Sequence, residues 1–324
     1  MRRDGFHYNA TRVEPGHLTR GGRPRSPRPG GWRPWRWLNI GLPYFWLLLF
    51  FFLPFVIVLQ ISLAEPVIAQ PPFTDLLQWL DQGVVQLRLN LGNYLLVWGD
   101  ELYRAAFLNS LWVALVSTLL CLLIGYPMAY AIATAPSRWR VPLLMMIILP
   151  FWTSFLIRVY AWIAILKGNG LLNQMLLALG LIDEPLAILH TQMAVYLGVV
   201  YSYLPFMVLP LYANLSRLDL TLLEAAADLG CRPWRAFHRV TLPLSLPGIL
   251  AGSLLVFIPA VGEFVIPDLL GGPDSLMVGR MLWTEFFANK DWPLASALAL
   301  VLLALLVLPF VVLQRWHTRL EADS

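Results

Sequence analysis

The 324-residue chain is 58% hydrophobic and only 13% charged, with a mean hydropathy of +0.66. Soluble globular domains carry about 25% charged residues, so the composition excludes a soluble enzyme or binding module and implies an integral membrane protein. The formal net charge of +4 sits mostly in the N-terminal tail and says little about any ligand.

A membrane span needs about 20 apolar residues. Six runs qualify, at 40–63, 107–134, 141–166, 192–213, 247–270 and 293–314. None alternates as a barrel strand does, so the expected fold is all-α, with six transmembrane helices. Residues 1–39 hold nine Arg and few aliphatics, which predicts a disordered basic tail able to touch anionic lipid headgroups. No fold or aromatic platform accompanies that charge, so no nucleic-acid partner is expected. After the first span, 40–63, comes an outer loop, 64–106. Pro71-Pro72 breaks it, and short surface helices are expected at 74–81 and 94–105.

The second span opens with Asn109-Ser110-Leu111 and reaches a tight turn at 135–140. The third carries Pro150, Trp152, Arg158, Tyr160 and Trp162. The fourth carries Tyr201 and Tyr203. Residues 215–246 then form the one long polar interval in the C-terminal two thirds. Asp219 is a candidate N-cap, followed by Leu222, Leu223, Ala226, Ala227 and Leu229 at helical spacing. Gly230 stands where a left-handed helix end is wanted. Pro233 suits the first turn of a second helix, which Pro243 is expected to end. The prediction is a helix–glycine–helix knob between two spans. In the fifth span Pro259, Gly262 and Pro267 predict a broken helix, which at membrane depth needs a protein or water-filled surrounding. The sixth span is plain.

Lys and Arg gather on cytoplasmic loops. With the N-terminus inside, the inner segments 1–39, 135–140, 214–246 and 315–324 carry nine, two, four and two of them. The outer segments 64–106, 167–191 and 271–292 carry two, one and two. Both termini and the knob are therefore expected to be cytoplasmic. Cys121 and Cys231 would then face lipid or a reducing compartment, where no disulfide is expected.

An ionisable residue inside a span costs about 3 kcal/mol at the bilayer centre. Glu263 lies 16 residues beyond Pro247 and Arg158 lies 17 beyond Val141. At 1.5 Å per residue both reach about 25 Å in. Two readings stand: a buried ion pair, or a carboxylate that attracts a cationic substrate. Trp152, Tyr160, Trp162, Tyr201 and Tyr203 can offer ring faces to an alkylammonium group or simply pack at an interface. Asp268, Asp274 and Glu285 would form an acidic outer mouth. The chain has no HExxH, GxSxG, CxxC or GxxxxGK[ST] motif, so neither catalysis nor ATP binding is expected of it. It needs no cofactor of its own.

Glu224-Ala225-Ala226, Gly230 and Leu242-Pro243 resemble the EAA loop of ATP-binding-cassette importer permeases. The runs LPFWTSFLIRVYAW (149–162), YSYLPFMVLPLYANL (201–215) and FIPAVGEFVIPDLLGG (257–272) resemble the polyamine branch of that family, putrescine importers in particular. The resemblance covers about residues 40–318. It implies a MetI-like core of five helices, 107–314, plus the first span, in a bacterial cytoplasmic (inner) membrane. It implies an ATPase dimer holding ATP and Mg, a second homologous permease, an external substrate-binding protein and a polyamine substrate. Glu224, Ala225, Ala226, Gly230, Trp234 and Arg235 would couple to the ATPase. Trp152, Arg158, Tyr160, Tyr201, Glu263 and Asp268 would line the pathway. Where relatives place Ser ahead of the Pro-Trp pair, this chain has Arg232, which loses a side-chain cap. The alternatives are a permease for spermidine, iron or an anion, and a secondary transporter without an ATPase.

Overall fold

The computed structural model describes residues 34–80, 84–219 and 221–322. Most of the predicted tail, 1–39, lies outside them. The chain divides into two units, Met1–Pro54 and Phe55–Ser324. In the first, helix α1 (Pro34–Leu47) runs into a π turn at Leu48–Phe52. Helix α2 (Leu53–Ser62) follows. The stretch Ile40–Ser62 is apolar but for Gln60 and Ser62 at its end.

The outer loop departs from expectation at two points: the helix expected at 94–105 is split at Asp100 between two helices, and residues 74–80 are not helical. Residues 77–80 form a strand, not a helix: β1 (Leu77–Leu80) pairs antiparallel with β2 (Val84–Leu87), Leu77 opposite Leu87. Leu, Trp and paired Val at 77–85 suit a two-stranded ribbon better than one helical turn. Helix α3 (Gly92–Gly99) stops at Asp100, whose carboxylate accepts from Leu102 N at 2.8 Å and caps α4 (Glu101–Thr134). The second span thus begins six residues before the apolar run does.

The predicted third span, 141–166, is broken. Helix α5 (Ser137–Ile148) tightens into a 3-10 turn at Leu149–Trp152, Thr153 is extended, and α6 (Phe155–Leu166) starts afresh. Pro150 lacks an N–H and the chain cannot continue helical past the turn. Helices α7 (Leu171–Ala178) and α8 (Gln192–Leu215) follow. The polar interval forms α9 (Thr221–Asp228) and α10 (Pro233–Ala236). A π turn at Phe237–Thr241 leads into α11 (Leu242–Leu244). Pro243 does not end this helix, contrary to expectation. The helix passes Pro243 by one residue, to Leu244, and the chain bends by 62° at Ser245. Helix α12 (Leu246–Val261) is closed by Gly262, and α13 (Val265–Leu269) restarts after a three-residue gap, which is the broken helix expected from the sequence. Helices α14 (Val278–Trp283) and α15 (Trp292–Ala322) complete the chain.

Among the described residues, four helices are long and apolar enough to cross a membrane: Ile40–Ser62, Glu101–Thr134, Phe155–Ala178 and Gln192–Leu215. The bent pair Pro233–Leu244 and Leu246–Val261 makes a fifth. The expected sixth is helical, but its described apolar part, Trp292–Val307, is shorter than a span.

Helices α4, α8 and α12 form the centre. Their contact faces carry small residues: Ala114, Ser117, Cys121 and Ala129 on α4, Gly198 on α8, Gly248 and Gly252 on α12, all buried. Lipid gives helices no hydrophobic reason to associate, so close backbone approach and van der Waals packing hold them. Val113, Val159, Val199, Val261 and Ile266 make one core cluster. Cys121, Met207, Leu211 and Val256 make a second.

Candidate functional site

The first candidate site is built on the gap between α12 and α13. Helix α12 loses its register at Gly262, and a new helix begins at Val265 with unsatisfied N–H groups. Glu263 supplies them. Its Oε1 accepts from Val265 N at 3.0 Å and Ile266 N at 3.3 Å, and Tyr203 of α8 donates its hydroxyl to Oε2 at 2.5 Å. Glu263 is 8% exposed. An acid that costs energy in an apolar run is thus held by three donors. Gly279 of α14 presses on the same gap. A Cβ there would lie 2.4 Å from Gly262 O and 2.7 Å from Glu263 O, so only glycine fits. The Asn-Ser pair that opens the second span anchors the returning strand of chain. Asn109 Nδ2 donates to Leu276 O and Ser110 Oγ accepts from Val278 N, both at 2.8 Å.

A cavity of about 410 Å³ opens at this gap, lined by Arg158, Glu263, Tyr203, Phe151, Phe155 and Phe206 among others. Arg158 and Glu263 therefore do meet, as their similar depths predict. They do not pair. Among the described residues the one salt bridge joins Arg280 to Asp268, at 3.0 Å. Arg158 Nε and Nη1 are buried without a hydrogen-bond partner. The guanidinium carbon instead sits 4.9 Å from the Phe151 ring centre and 5.7 Å from that of Phe155. The ion-pair reading is thereby corrected: the backbone of the helix break has already taken the carboxylate.

Four other predicted pathway residues lie apart. Trp152 and Tyr160 are 78% and 58% exposed and do not line the cavity. Tyr201 packs edge-on against Trp162 at 5.4 Å. Asp268 belongs to a separate cavity with His190 and Arg280. Nor is the expected acidic mouth a set of free charges. Beyond the Asp268–Arg280 pair, Glu285 accepts from Tyr103 Oη at 3.0 Å and Asn289 Nδ2 at 2.8 Å. Sequence reasoning missed Phe151, Phe155 and Phe206, because a phenylalanine in an apolar run gives no signal. The break at Pro150, which brings Phe151 beside Arg158, was the available clue.

The second candidate site is the knob. Asp219 Oδ1 accepts from Thr221 N at 3.0 Å. That backbone bond, with the Thr221 side chain, holds the Asp219 carboxyl below the usual range. The sign follows: the cap is at full strength above the ordinary carboxylate range and is lost as pH falls through the lowered value. Helix α9 closes in a Schellman motif. Cys231 N donates to Ala226 O at 2.9 Å, Gly230 N to Ala227 O at 2.8 Å, and Gly230 has φ +75°. The second helix starts at Pro233 although Arg232 makes no side-chain cap. Glu224, Ala225, Trp234 and Arg235 are exposed, and Ala226 is half-buried. Leu229 and Trp234 are 89% and 71% exposed, which leaves two large apolar side chains uncovered by this chain on a polar element.

Leu218, Phe237 and Leu242 pack the knob against the core. Phe237 meets Tyr126 and Tyr130 of α4 edge-on, at 5.7 and 6.0 Å between centres. The Tyr126 and Ser245 hydroxyls lie 3.0 Å apart, so the same tyrosine also holds the 62° bend. From there α12 runs 16 residues, about 24 Å, to the break at Glu263. The two sites are the two ends of one helix.

Comparison with known proteins bears on both. Residues 31–321 match the family described as binding-protein-dependent transport system inner membrane component. The chain is 41% identical over 272 residues to the spermidine/putrescine transport system permease protein PotB of Escherichia coli (strain K12), covering 84% of this chain and 93% of that one. It is 39% identical over 273 residues to PotB of Haemophilus influenzae, covering 83% and 91%. Among solved structures, a chain of a bacterial alginate ABC transporter superposes with a TM-score of 0.62 at 18% identity, covering 85% of this chain and 92% of that one.

Proposed function

Because the chain belongs to the family of binding-protein-dependent transport system inner membrane components, we propose that it is the membrane permease of an ATP-driven polyamine importer that carries putrescine. The carrying observation is the 41% identity to a spermidine/putrescine permease over nearly the whole chain. The chemistry of the gap is compatible. A carboxylate, a tyrosine hydroxyl, four phenylalanines and the Arg158 guanidinium line one cavity, and alkylammonium groups favour anions and ring faces.

In this reading the ATPase subunits dock on the exposed face of the knob, with Leu229 and Trp234 as apolar anchors and Glu224 and Arg235 beside them. Their closure moves α9 and α10. The movement passes through Phe237 to α4 and through the bend at Ser245 to α12, and arrives at the break. A second permease faces this one across the pathway, and an external binding protein delivers the solute. The knob and both termini face the cytoplasm.

The test is uptake of labelled putrescine by the assembled transporter, with spermidine, an amino acid and sulfate as competitors. Inhibition by spermidine alone supports the polyamine reading. One observation favours a second reading. The unpaired Nε and Nη1 of Arg158 are what an oxyanion would seek. Inhibition by sulfate and not by spermidine would favour an anion importer.

A further inference from the structure

One group in the cavity has incomplete bonding. Arg158 Nε and Nη1 are buried and unpartnered, although a buried charge is costly unless paired. Glu263, in the same cavity, is occupied by Tyr203, Val265 and Ile266. Two phenylalanine faces give the guanidinium part of what it lacks. Arg158 as a whole is half-buried, so a fixed positive charge stands in the cavity lining without an ion-pair partner among the described residues.

A membrane pathway lined by a carboxylate invites inorganic cations, since acidic rings are how cation channels select. An inside-negative membrane potential draws those ions along any open path. A guanidinium in the lining has the opposite effect and raises an electrostatic barrier to small cations. We propose that Arg158 is the seal of this pathway: a tethered cation that occupies the cation-attracting cavity and bars sodium and potassium from it. Its separation from Glu263 is then functional, because a guanidinium locked in an ion pair would present no net charge to an entering ion. The inference rests on the permease reading and concerns the resting transporter: a cationic solute meets the same barrier and passes only when the nucleotide cycle moves the helix that carries Arg158.

The experiment uses the whole transporter reconstituted in liposomes, without nucleotide or solute. Rubidium influx is driven by an inside-negative potential. Only complexes that elute intact are reconstituted. With an effective dielectric of about 20, removing one charge at this range should raise the leak by about tenfold or more. Arg158→Gln is expected to leak by that factor and Arg158→Lys to stay near wild type. The double variant Arg158→Gln/Glu263→Gln should return to within about twofold of wild type, since no carboxylate remains to attract the ion. A tight Arg158→Gln, a leaky Arg158→Lys, or a double variant as leaky as the single one would each overturn the seal. So would failure of Arg158→Gln to assemble when the double variant assembles, which would make the pair structural. Putrescine uptake by wild-type vesicles is measured in parallel. Sealed vesicles that take up no putrescine would reject the polyamine reading and leave the seal standing.

Discussion

Replacing Glu263 by Gln keeps an oxygen to accept from Val265 and Ile266 but removes the charge. The variant is expected to assemble normally and to lose about tenfold or more in polyamine uptake, the range for hydrogen bonds that lose a charged partner. Labelled uptake beside a melting curve checks both halves. Unchanged uptake would remove the carboxylate from the solute's path. Gly230→Val is a different kind of test. Nothing crowds the position, so its only cost is the positive φ, about 1–2 kcal/mol for a residue with a Cβ. The knob should deform locally while the spans stay inserted. Expected is loss of solute-stimulated ATP hydrolysis with the complex still isolated intact; normal stimulation would clear the knob of coupling. Both residues were legible in the sequence. A lone acid in an apolar run and a glycine after a helical repeat each stand out chemically. Which donors would hold Glu263 was not legible, because two are backbone N–H groups exposed by a break three residues long and the third is a hydroxyl from another helix. The orphaned state of Arg158 follows from that same hidden detail.

At the scale of elements, prolines decided most of what the sequence misjudged. Pro150 sits inside a run apolar enough for one span, yet the chain turns there into 3-10 geometry. Pro243 looks like a terminator, yet the helix passes it by one residue and the bend falls at Ser245. Hydrophobicity reports length and burial, whereas hydrogen-bond register decides where a helix stops. Two variants test the elements as observed. Gly279→Ala puts a methyl 2.4 Å from Gly262 O. Overpacking of this kind costs about 1–3 kcal/mol, so the variant should melt earlier and transport poorly. An unchanged melting temperature would mean that the segment after the break is not seated there. Phe237→Ala removes both edge contacts to α4, each about 0.5–1.5 kcal/mol beyond simple burial. Solute-stimulated ATP hydrolysis should fall while solute binding by the external partner is untouched. Full stimulation would show that the push reaches α12 by another route.

For the molecule as a whole, the fold class was readable from composition, whereas the small-residue contacts that build the centre at 114–129 and 248–252 were not read from the sequence. The count of spans was not, because two of the six runs are interrupted and a third has only its first half described. Glu224→Ala belongs at this scale, since the side chain is exposed and makes no hydrogen bond or salt bridge among the described residues, yet faces the proposed docking side. Lost uptake with normal assembly is expected, and uptake that survives would argue for a transporter that needs no ATPase. The cap on α13 has a broader consequence. A solute that engages Oε1 of Glu263 must draw it from Val265 and Ile266, and a first turn without its acceptor is free to rewind. By reciprocity, whatever rewinds that turn alters the hold on the solute by the same factor. Occupancy and backbone shape thus draw on one free energy at a single side chain, so a cargo arriving from outside and a nucleotide cycle acting from within negotiate over the same oxygen.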